Sequence, residues 1–220
     1  MQNNNKKPSQ RRYIIAGGLL LIFAVYLYTV LTYKAKSDPE SEKIIRQIAA
    51  SQLNKDPNEL TDEDFAQITE FDLSEYRIWP RNPLKSISDI KLLEKFTNLQ
   101  ALILAGLKLP QKATPKWMTI LAKLGIFDLS KKSFIDLRPL KKLYKLQTLN
   151  LSASQVSDLK SIRRLTNLGN LNLFGTQVSD LKPLKGLKNL KSLYIRDCKN
   201  IKDEQVQELQ KALPNLKITR

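Results

Sequence analysis

The side chains that could carry chemistry are few in this chain of 220 residues. It has no histidine and one cysteine, Cys198, which excludes the usual Cys/His zinc sets, Cys/His nucleophiles and histidine bases. It also has no glycine-rich phosphate loop. The carboxylates recur at the starts of predicted helical segments and do not form a facing pair for acid–base work. The sequence therefore predicts no enzyme, no cofactor, no bound metal and no small-molecule substrate.

The whole chain has a formal net charge of +16. Most of this positive charge lies in the C-terminal two thirds of the chain. Residues 1–12 contain four bases and no acid, and residues 13–80 contain six bases and eleven acids. Residues 81–220 contain twenty-seven bases and ten acids. A field of this sign favours anionic partners, although it also serves solubility.

An uncharged apolar run covers residues 13–33, between Arg12 and Lys34. At about 1.5 Å per residue, a helix of this length spans a hydrocarbon layer of about 30 Å, so we predict a transmembrane signal-anchor. A cleaved signal peptide is the alternative, but its apolar region is usually only about 7–15 residues long. The one cleavage candidate, residues 35–37, is closely followed by Pro39.

The basic tail of residues 1–12 predicts the orientation of this anchor. Nearby Lys and Arg residues number four on each side of the apolar run, but only the N-terminal four lie in a segment without acids. The positive-inside rule then places the tail in the cytoplasm. We expect a single-pass membrane protein whose C-terminal domain is periplasmic or extracellular.

Residues 34–60 are predicted to form a juxtamembrane linker and a capping helix. The helix should end near Pro57, because proline disfavours the helical conformation in the residue before it. Its apolar face is expected to cover the first coil of a repeat domain, because the open ends of stacked repeats need a cover. That face is formed by Ile44, Ile45, Ile48, Ala49 and Leu53.

Residues 61–220 repeat the pattern L-x-x-L-x-L. Its final apolar pairs are Phe71/Leu73, Leu102/Leu104, Phe127/Leu129, Leu149/Leu151, Leu171/Leu173, Leu193/Ile195 and Leu216/Ile218. Successive pairs are 31, 25, 22, 22, 22 and 23 residues apart. We predict about seven stacked coils, each with a strand, a turn and a short helical or 3₁₀ segment, because one coil cannot bury its own leucines.

A second landmark lies thirteen residues before the first residue of six of these pairs. Its members are good helix-capping types: Asp89, Thr114, Asp136, Asp158, Asp180 and Asp203. We expect each to begin the short helical segment of its coil.

Residues 168–195, LGNLNLFGTQVSDLKPLKGLKNLKSLYI, resemble the 22-residue repeats of internalin-type bacterial leucine-rich-repeat proteins. Residues 201–218, IKDEQVQELQKALPNLKI, resemble the closing repeat of many such proteins. The resemblance covers about residues 60–220. It implies an α/β horseshoe with a parallel sheet on the concave face, short helices or 3₁₀ segments on the convex face, and an unknown protein partner.

The sequence departs from that family at its ladder asparagine, where Lys132, Ser154, Thr176 and Cys198 occur instead. Lys132 indicates an irregular coil. Small side chains at this position can still bond the turn backbone, so Cys198 has a structural interpretation. The alternative is a reactive thiol, for which the sequence offers only neighbouring cations as activators.

Period-two alternation along each strand places the residues between the leucines on the concave face. One predicted column there runs through Asn150, Asn172, Tyr194 and Lys217. Aromatic and arginine side chains are enriched in binding hot spots. We therefore predict a protein-binding site at Asn150, Asn172, Phe174, Tyr194 and Arg196. The alternative is that the Phe174 and Tyr194 rings only pack on each other.

Two columns of cations, and a third shorter one formed by Lys142 and Arg164, are predicted on the convex side with a period of 22 residues. The two longer columns have three members each. They are Arg138, Lys160 and Lys182, and Lys141, Arg163 and Lys185. These columns form a candidate site for anionic lipid or cell-wall polymer, or else a solvated surface. Specific nucleic-acid binding is not expected, because no stacking aromatics interleave with the columns.

Overall fold

Six short parallel strands form one sheet, and each contains an apolar residue of a predicted repeat. The computed structural model describes residues 39–74, 89–106 and 135–220. The strands follow one another in chain order across the sheet. They are β1 (Glu70–Asp72), β2 (Ala101–Ile103), β3 (Thr148–Asn150), β4 (Asn170–Asn172), β5 (Ser192–Tyr194) and β6 (Lys217–Thr219). The predicted parallel sheet is therefore confirmed.

In the described part of the chain, five helical segments lie between successive strands, and two α-helices precede the first strand. Four are 3₁₀ segments: Lys91–Lys95, Arg138–Lys142, Lys160–Ile162 and Lys182–Leu184. Three are α-helices: α1 (Pro39–Leu53), α2 (Asp62–Gln67) and α3 (Asp203–Ala212). This alternation is the one that the repeat pattern predicts.

The leucines of successive coils form one continuous core. Leu149, Leu171 and Leu193 are aligned across β3, β4 and β5 and have no exposed surface. Burying a leucine side chain contributes roughly 1.5–3 kcal/mol, and here each coil supplies the cover for its neighbour. Stacking therefore stabilises coils that would not be stable singly.

The turn after each regular strand is closed by a side chain at the strand end. The Oδ1 atoms of Asn150 and Asn172 accept hydrogen bonds from the backbone N–H groups two residues further on, at 2.9 Å in both turns. The chain then passes through a left-handed residue, Ala153 (φ 54°) or Gly175 (φ 64°). Such a φ suits glycine better than alanine, because Cβ is crowded there.

Four of the predicted capping aspartates accept a backbone N–H two residues on, at the start of a 3₁₀ segment. They are Asp89, Asp136, Asp158 and Asp180, with N···O distances from 2.7 to 3.0 Å. Asp203 instead is the first residue of α3 and pairs with Arg220. Thr114 lies outside the described residues.

Strands β2 and β3 are direct neighbours in the described sheet. Ala101 lies opposite Thr148, and the Leu104 N–H donates to the Asn150 carbonyl at 2.8 Å. The coil predicted around Phe127 belongs to residues 107–134, which lie outside the described residues, so that coil and the total of about seven stay a prediction.

The last strand has a different register from the one that the leucine pairs predict. Leu193 is opposite Ile218 rather than Leu216, so Thr219 lies beside Tyr194 and Lys217 lies beside Ser192. The ten-residue helix α3 replaces a three-residue 3₁₀ segment in this coil. A longer path on the helical side uses more residues before the chain returns to the sheet.

Helix α1 packs on the first coils, as predicted from its apolar spacing. Ile44, Ile45 and Ile48 are buried in the common core, and the Asp89 N–H donates to the Ser41 hydroxyl at 3.2 Å. No helix within the described ranges is long and apolar enough to cross a membrane. The predicted span, residues 13–33, lies outside them.

Candidate functional site

The two asparagines of the predicted concave site have structural roles. Asn150 and Asn172 are half-buried, and their side-chain oxygens close the turns described above. The turn formed by Asn172 also fixes the backbone of Phe174, whose N–H it accepts. These asparagines therefore position the site and are poor candidates for direct contacts.

Two large rings on adjacent coils are open to solvent. Phe174 is 39% exposed and Tyr194 is 45% exposed. In the described part of the chain, aromatic ring contacts join only Phe65, Phe71 and Phe96. The alternative, in which the Phe174 and Tyr194 rings pack on each other, is thus not supported.

Arg196 completes a small surface with these rings, which we call the aromatic patch (Phe174, Tyr194 and Arg196). Arg196 lies at the position of Phe174 in the next coil, and its carbonyl accepts the Gly175 N–H at 2.9 Å. Its side chain is exposed. Tyr194 is flanked in the sheet by Asn172 and Thr219. The structure therefore groups three of the five predicted concave residues at the C-terminal end of the face.

The N-terminal end of the same face is acidic. Glu70 is exposed there, and the Asp72 carboxylate accepts the Ser74 N–H at 2.6 Å. A partner that covered the whole concave face would have to match both an acidic end and an aromatic, cationic end.

Half of the predicted convex cations have acidic partners. Arg138 lies 2.5 Å from Asp136, and this hydrogen bond and charge raise the pKa of the guanidinium. Lys185 lies 2.8 Å from Glu208, and hydrogen bonding to Lys185 lowers the pKa of that carboxyl. These contacts neutralise part of each column.

The remaining members of the two columns differ in their surroundings. Lys160 makes a long ion pair with Asp158, at 3.9 Å. For Lys141, Arg163 and Lys182, no acid of the described ranges lies within ion-pair distance.

The position of the missing ladder asparagine is filled by a buried hydrogen-bonded column. The Thr176 hydroxyl donates to the Leu173 carbonyl at 2.8 Å, and the Cys198 thiol donates to the same carbonyl at 2.9 Å. The Thr176 oxygen and the Cys198 sulfur are 3.5 Å apart. Cys198 is buried, and its structural interpretation is confirmed.

A second ladder of asparagines joins the coils and was missed in the sequence. Asn98, Asn167 and Asn189 each donate from Nδ2 to a backbone carbonyl of the preceding coil, at 2.7 to 2.8 Å. Each precedes the leucine that leads into a strand, so the recurring Asn-Leu pair was the available signal.

No protein-family model matches the sequence, and no curated protein matches it. Among solved structures, internalin C2 of Listeria monocytogenes is 24% identical, with 82% of each chain covered and a TM-score of 0.42. A second internalin from that organism is 20% identical over 79% of this chain and 54% of its own, with a TM-score of 0.37. A leucine-rich-repeat protein of Leptospira interrogans is 22% identical over 66% of this chain and 40% of its own, with a TM-score of 0.41.

The described residues form a leucine-rich-repeat solenoid. The parallel strands, the 3₁₀ segments and the leucine core of this chain carry that assignment. Within the described part of the solenoid, no three histidine, cysteine or carboxylate side chains are close enough to hold a metal ion.

Proposed function

We propose that this chain is a non-catalytic protein, anchored in a membrane by residues 13–33, whose solenoid binds a protein partner through the aromatic patch. One observation supports it above the others: two large rings lie exposed on neighbouring coils, and no ring contact between them is found in the described part of the chain. The basic, acid-free tail of residues 1–12 supports a cytoplasmic N-terminus and a periplasmic or extracellular solenoid.

The aromatic patch has the composition and the rigidity of a binding hot spot. Tyrosine and arginine are among the residues most enriched there. The backbone of Phe174 is fixed by its hydrogen bond to Asn172, so little conformational freedom is lost when a partner binds. Leaving Phe174 in water contributes nothing to folding, whereas covering it with a partner would be favourable.

The second candidate function is binding of anionic lipid or cell-wall polymer by the convex columns. Lys141 and Arg163 favour it, because no acid of the described ranges lies within ion-pair distance of either. The ion pairs of Arg138 and Lys185 count against the columns acting as whole units. We therefore give the aromatic patch priority.

Photo-crosslinking in native membranes tests the proposal. The full chain would carry a benzophenone amino acid in place of Phe174, and a crosslinked protein band would identify the partner. With that partner in hand, Phe174→Ala and Tyr194→Ala should each weaken binding by about thirtyfold, the effect of losing a hot-spot residue worth about 2 kcal/mol. High salt should change this binding little, because the contact is centred on aromatic rings.

Tyr144 provides the matched control, because it is 52% exposed but lies just after the 3₁₀ segment Arg138–Lys142, on the other side of its coil from the turns that follow the strands. Tyr144→Ala should leave partner binding unchanged. Equal losses from Tyr144→Ala and Phe174→Ala, or no loss from either concave substitution, would refute the aromatic patch as the site.

A further inference from the structure

One flank of the solenoid carries many bases and no acid of its own. It is formed by the ends of the 3₁₀ segments and by the residues that follow them, up to the strands, in the three regular coils, those that contain β3, β4 and β5. No acidic residue occurs within residues 137–157, 159–179 or 181–196. We call this surface the basic flank. Its cations are Lys141, Lys142, Lys145, Arg163, Arg164, Lys185, Lys188 and Lys191.

The asparagine ladder aligns the three coils along this flank. Asn167 donates to the Tyr144 carbonyl at 2.7 Å, and Asn189 donates to the Thr166 carbonyl at 2.8 Å. Equivalent positions of neighbouring coils therefore lie side by side, about 5 Å apart at the sheet. All the cations are exposed except Lys185, which is half-buried. The result is a rigid, two-dimensional array of positive charge.

Most of this charge is uncompensated. In the described part of the chain, Lys185 is the one member with an acidic partner, Glu208. Lys145 donates to the Asn98 side-chain oxygen at 2.7 Å, and Lys188 donates to a backbone carbonyl at 3.2 Å, so both bond neutral acceptors. Eight cations against one acid make a local charge of +7.

The array has a boundary on its N-terminal side. Glu94 lies in the 3₁₀ segment Lys91–Lys95 at the position that Lys141 takes in Arg138–Lys142. The sign of the charge at this one position therefore reverses between the coil of β2 and the coil of β3, whereas Lys95 is basic like its equivalent Lys142.

An exposed aromatic ring lies within the array. Tyr144 is 52% exposed and stands between Lys142 and Lys145 in the sequence. A tyrosine ring has an apolar body and a polar tip, which suits the boundary between lipid headgroups and acyl chains.

We propose that the basic flank binds an anionic lipid surface. The inference deepens the second candidate function. It keeps the convex column Lys141, Arg163 and Lys185 in the site and leaves out the column Arg138, Lys160 and Lys182. One column of cations would be enough to bind a linear polymer. A membrane presents charge in two dimensions, and the basic flank matches it with cations on three coils and at several positions within each coil.

Vesicle capture tests the proposal. The full chain is held in nanodiscs of phosphatidylcholine, so that residues 13–33 do not meet the test vesicles. Vesicles containing roughly one third phosphatidylglycerol should be captured, and pure phosphatidylcholine vesicles should not. The triple variant Lys141→Gln, Arg163→Gln, Lys188→Gln should weaken capture about a hundredfold, since each juxtamembrane cation contributes about fivefold.

The matched control removes the same charge from the same coils. It combines Arg138→Gln, Lys160→Gln and Lys182→Gln, the other predicted convex column. Capture by this control should stay within about threefold of wild type, because its cations lie beside capping aspartates and off the flank. Circular dichroism melts would verify that both triple variants remain folded.

Three results would overturn the inference: no capture of anionic vesicles by wild type, equal loss in the two triple variants, or binding of soluble polyphosphate without vesicle capture. The last would assign the flank to a soluble polyanion. Phe174→Ala with Tyr194→Ala should capture vesicles like wild type. The result of the vesicle experiment can therefore be distinguished from the result of the partner-binding experiment on the aromatic patch.

Discussion

The two ends of the described solenoid share a fold but differ in charge and in packing. The N-terminal coils, residues 39–74 and 89–106, contain eleven acids and five bases. Residues 135–220 contain seven acids and seventeen bases. A repeat that keeps its leucines can thus change the sign of its surface within one or two coils, because the core and the surface use different positions of the repeat.

The two ends also differ in how their cores are packed. In the N-terminal coils the Phe96 ring touches two others, with ring centroids 5.1 Å from Phe65 and 4.7 Å from Phe71. The regular coils have leucines in equivalent places, held in strict register by the asparagine ladder. The core of the N-terminal coils therefore depends on a few large side chains. The core of the regular coils depends on many leucines in equivalent positions.

Truncating the aromatic cluster should have the largest effect on stability. Phe96→Ala is expected to lower the free energy of unfolding by about 4 kcal/mol, because it leaves a cavity between two rings. Leu171→Ala, the matched change in the regular coils, should lower it by about 3 kcal/mol. Urea unfolding of the full chain in mild detergent measures both. A loss below about 1 kcal/mol for Phe96→Ala would show that the cluster is not what stabilises this end.

Acid should remove one source of stability from the N-terminal end. The Asp64 carboxylate is buried, 2.6 Å from Lys55 Nζ, and the hydrogen bonds from Lys55 and from the Thr61 N–H lower its pKa. The stabilisation from Asp64 is therefore fully present at a pH above the pKa of the carboxyl in the unfolded chain, about 3.9. It is lost as the pH falls through the lower pKa that the carboxyl has in the folded protein.

Asp64→Asn should lower the free energy of unfolding at pH 7, by less than Phe96→Ala does. It should also make the decline of this free energy toward pH 3 less steep. Amide hydrogen exchange in α2 would localise the change, because Asp64 closes the capping box at the start of that helix. Wild type and variant declining in parallel below pH 4 would contradict this role for Asp64.

Reversing the charge of Arg163 should have the smallest effect on stability. Unlike the changes above, it should raise the free energy of unfolding. Arg163 lies between Lys141 and Lys185, so Arg163→Glu replaces two repulsions by two attractions. We expect a gain of about 0.5 kcal/mol in unfolding free energy at low salt, measured by thermal melting. The gain should vanish in high salt, and its persistence there would exclude an electrostatic origin. Vesicle capture should fall in the same variant, so that stability and binding change in opposite directions.

The leucine pattern was sufficient to align β1 to β5, because each of these five strands supplies a buried leucine or phenylalanine at the same place in its coil. The capping aspartates and the buried Cys198 also followed from residue type and spacing. The register of β6 did not, because leucine spacing contains no information on the length of the connecting helix. The rings of Phe174 and Tyr194 could be assigned to the concave face, but whether they stack depends on side-chain geometry that the pattern does not contain.

The direct pairing of β2 with β3 brings residues 47 apart in the sequence, Ala101 and Thr148, opposite each other. The Gly106 N–H donates to the Ser152 carbonyl at 2.6 Å, and the Ile135 N–H donates to the Gln155 carbonyl at 2.8 Å. The two described residues that flank residues 107–134 are thus both anchored to the same four-residue stretch after β3. Every contact that sets the alignment of β2 with β3 therefore lies in the described residues.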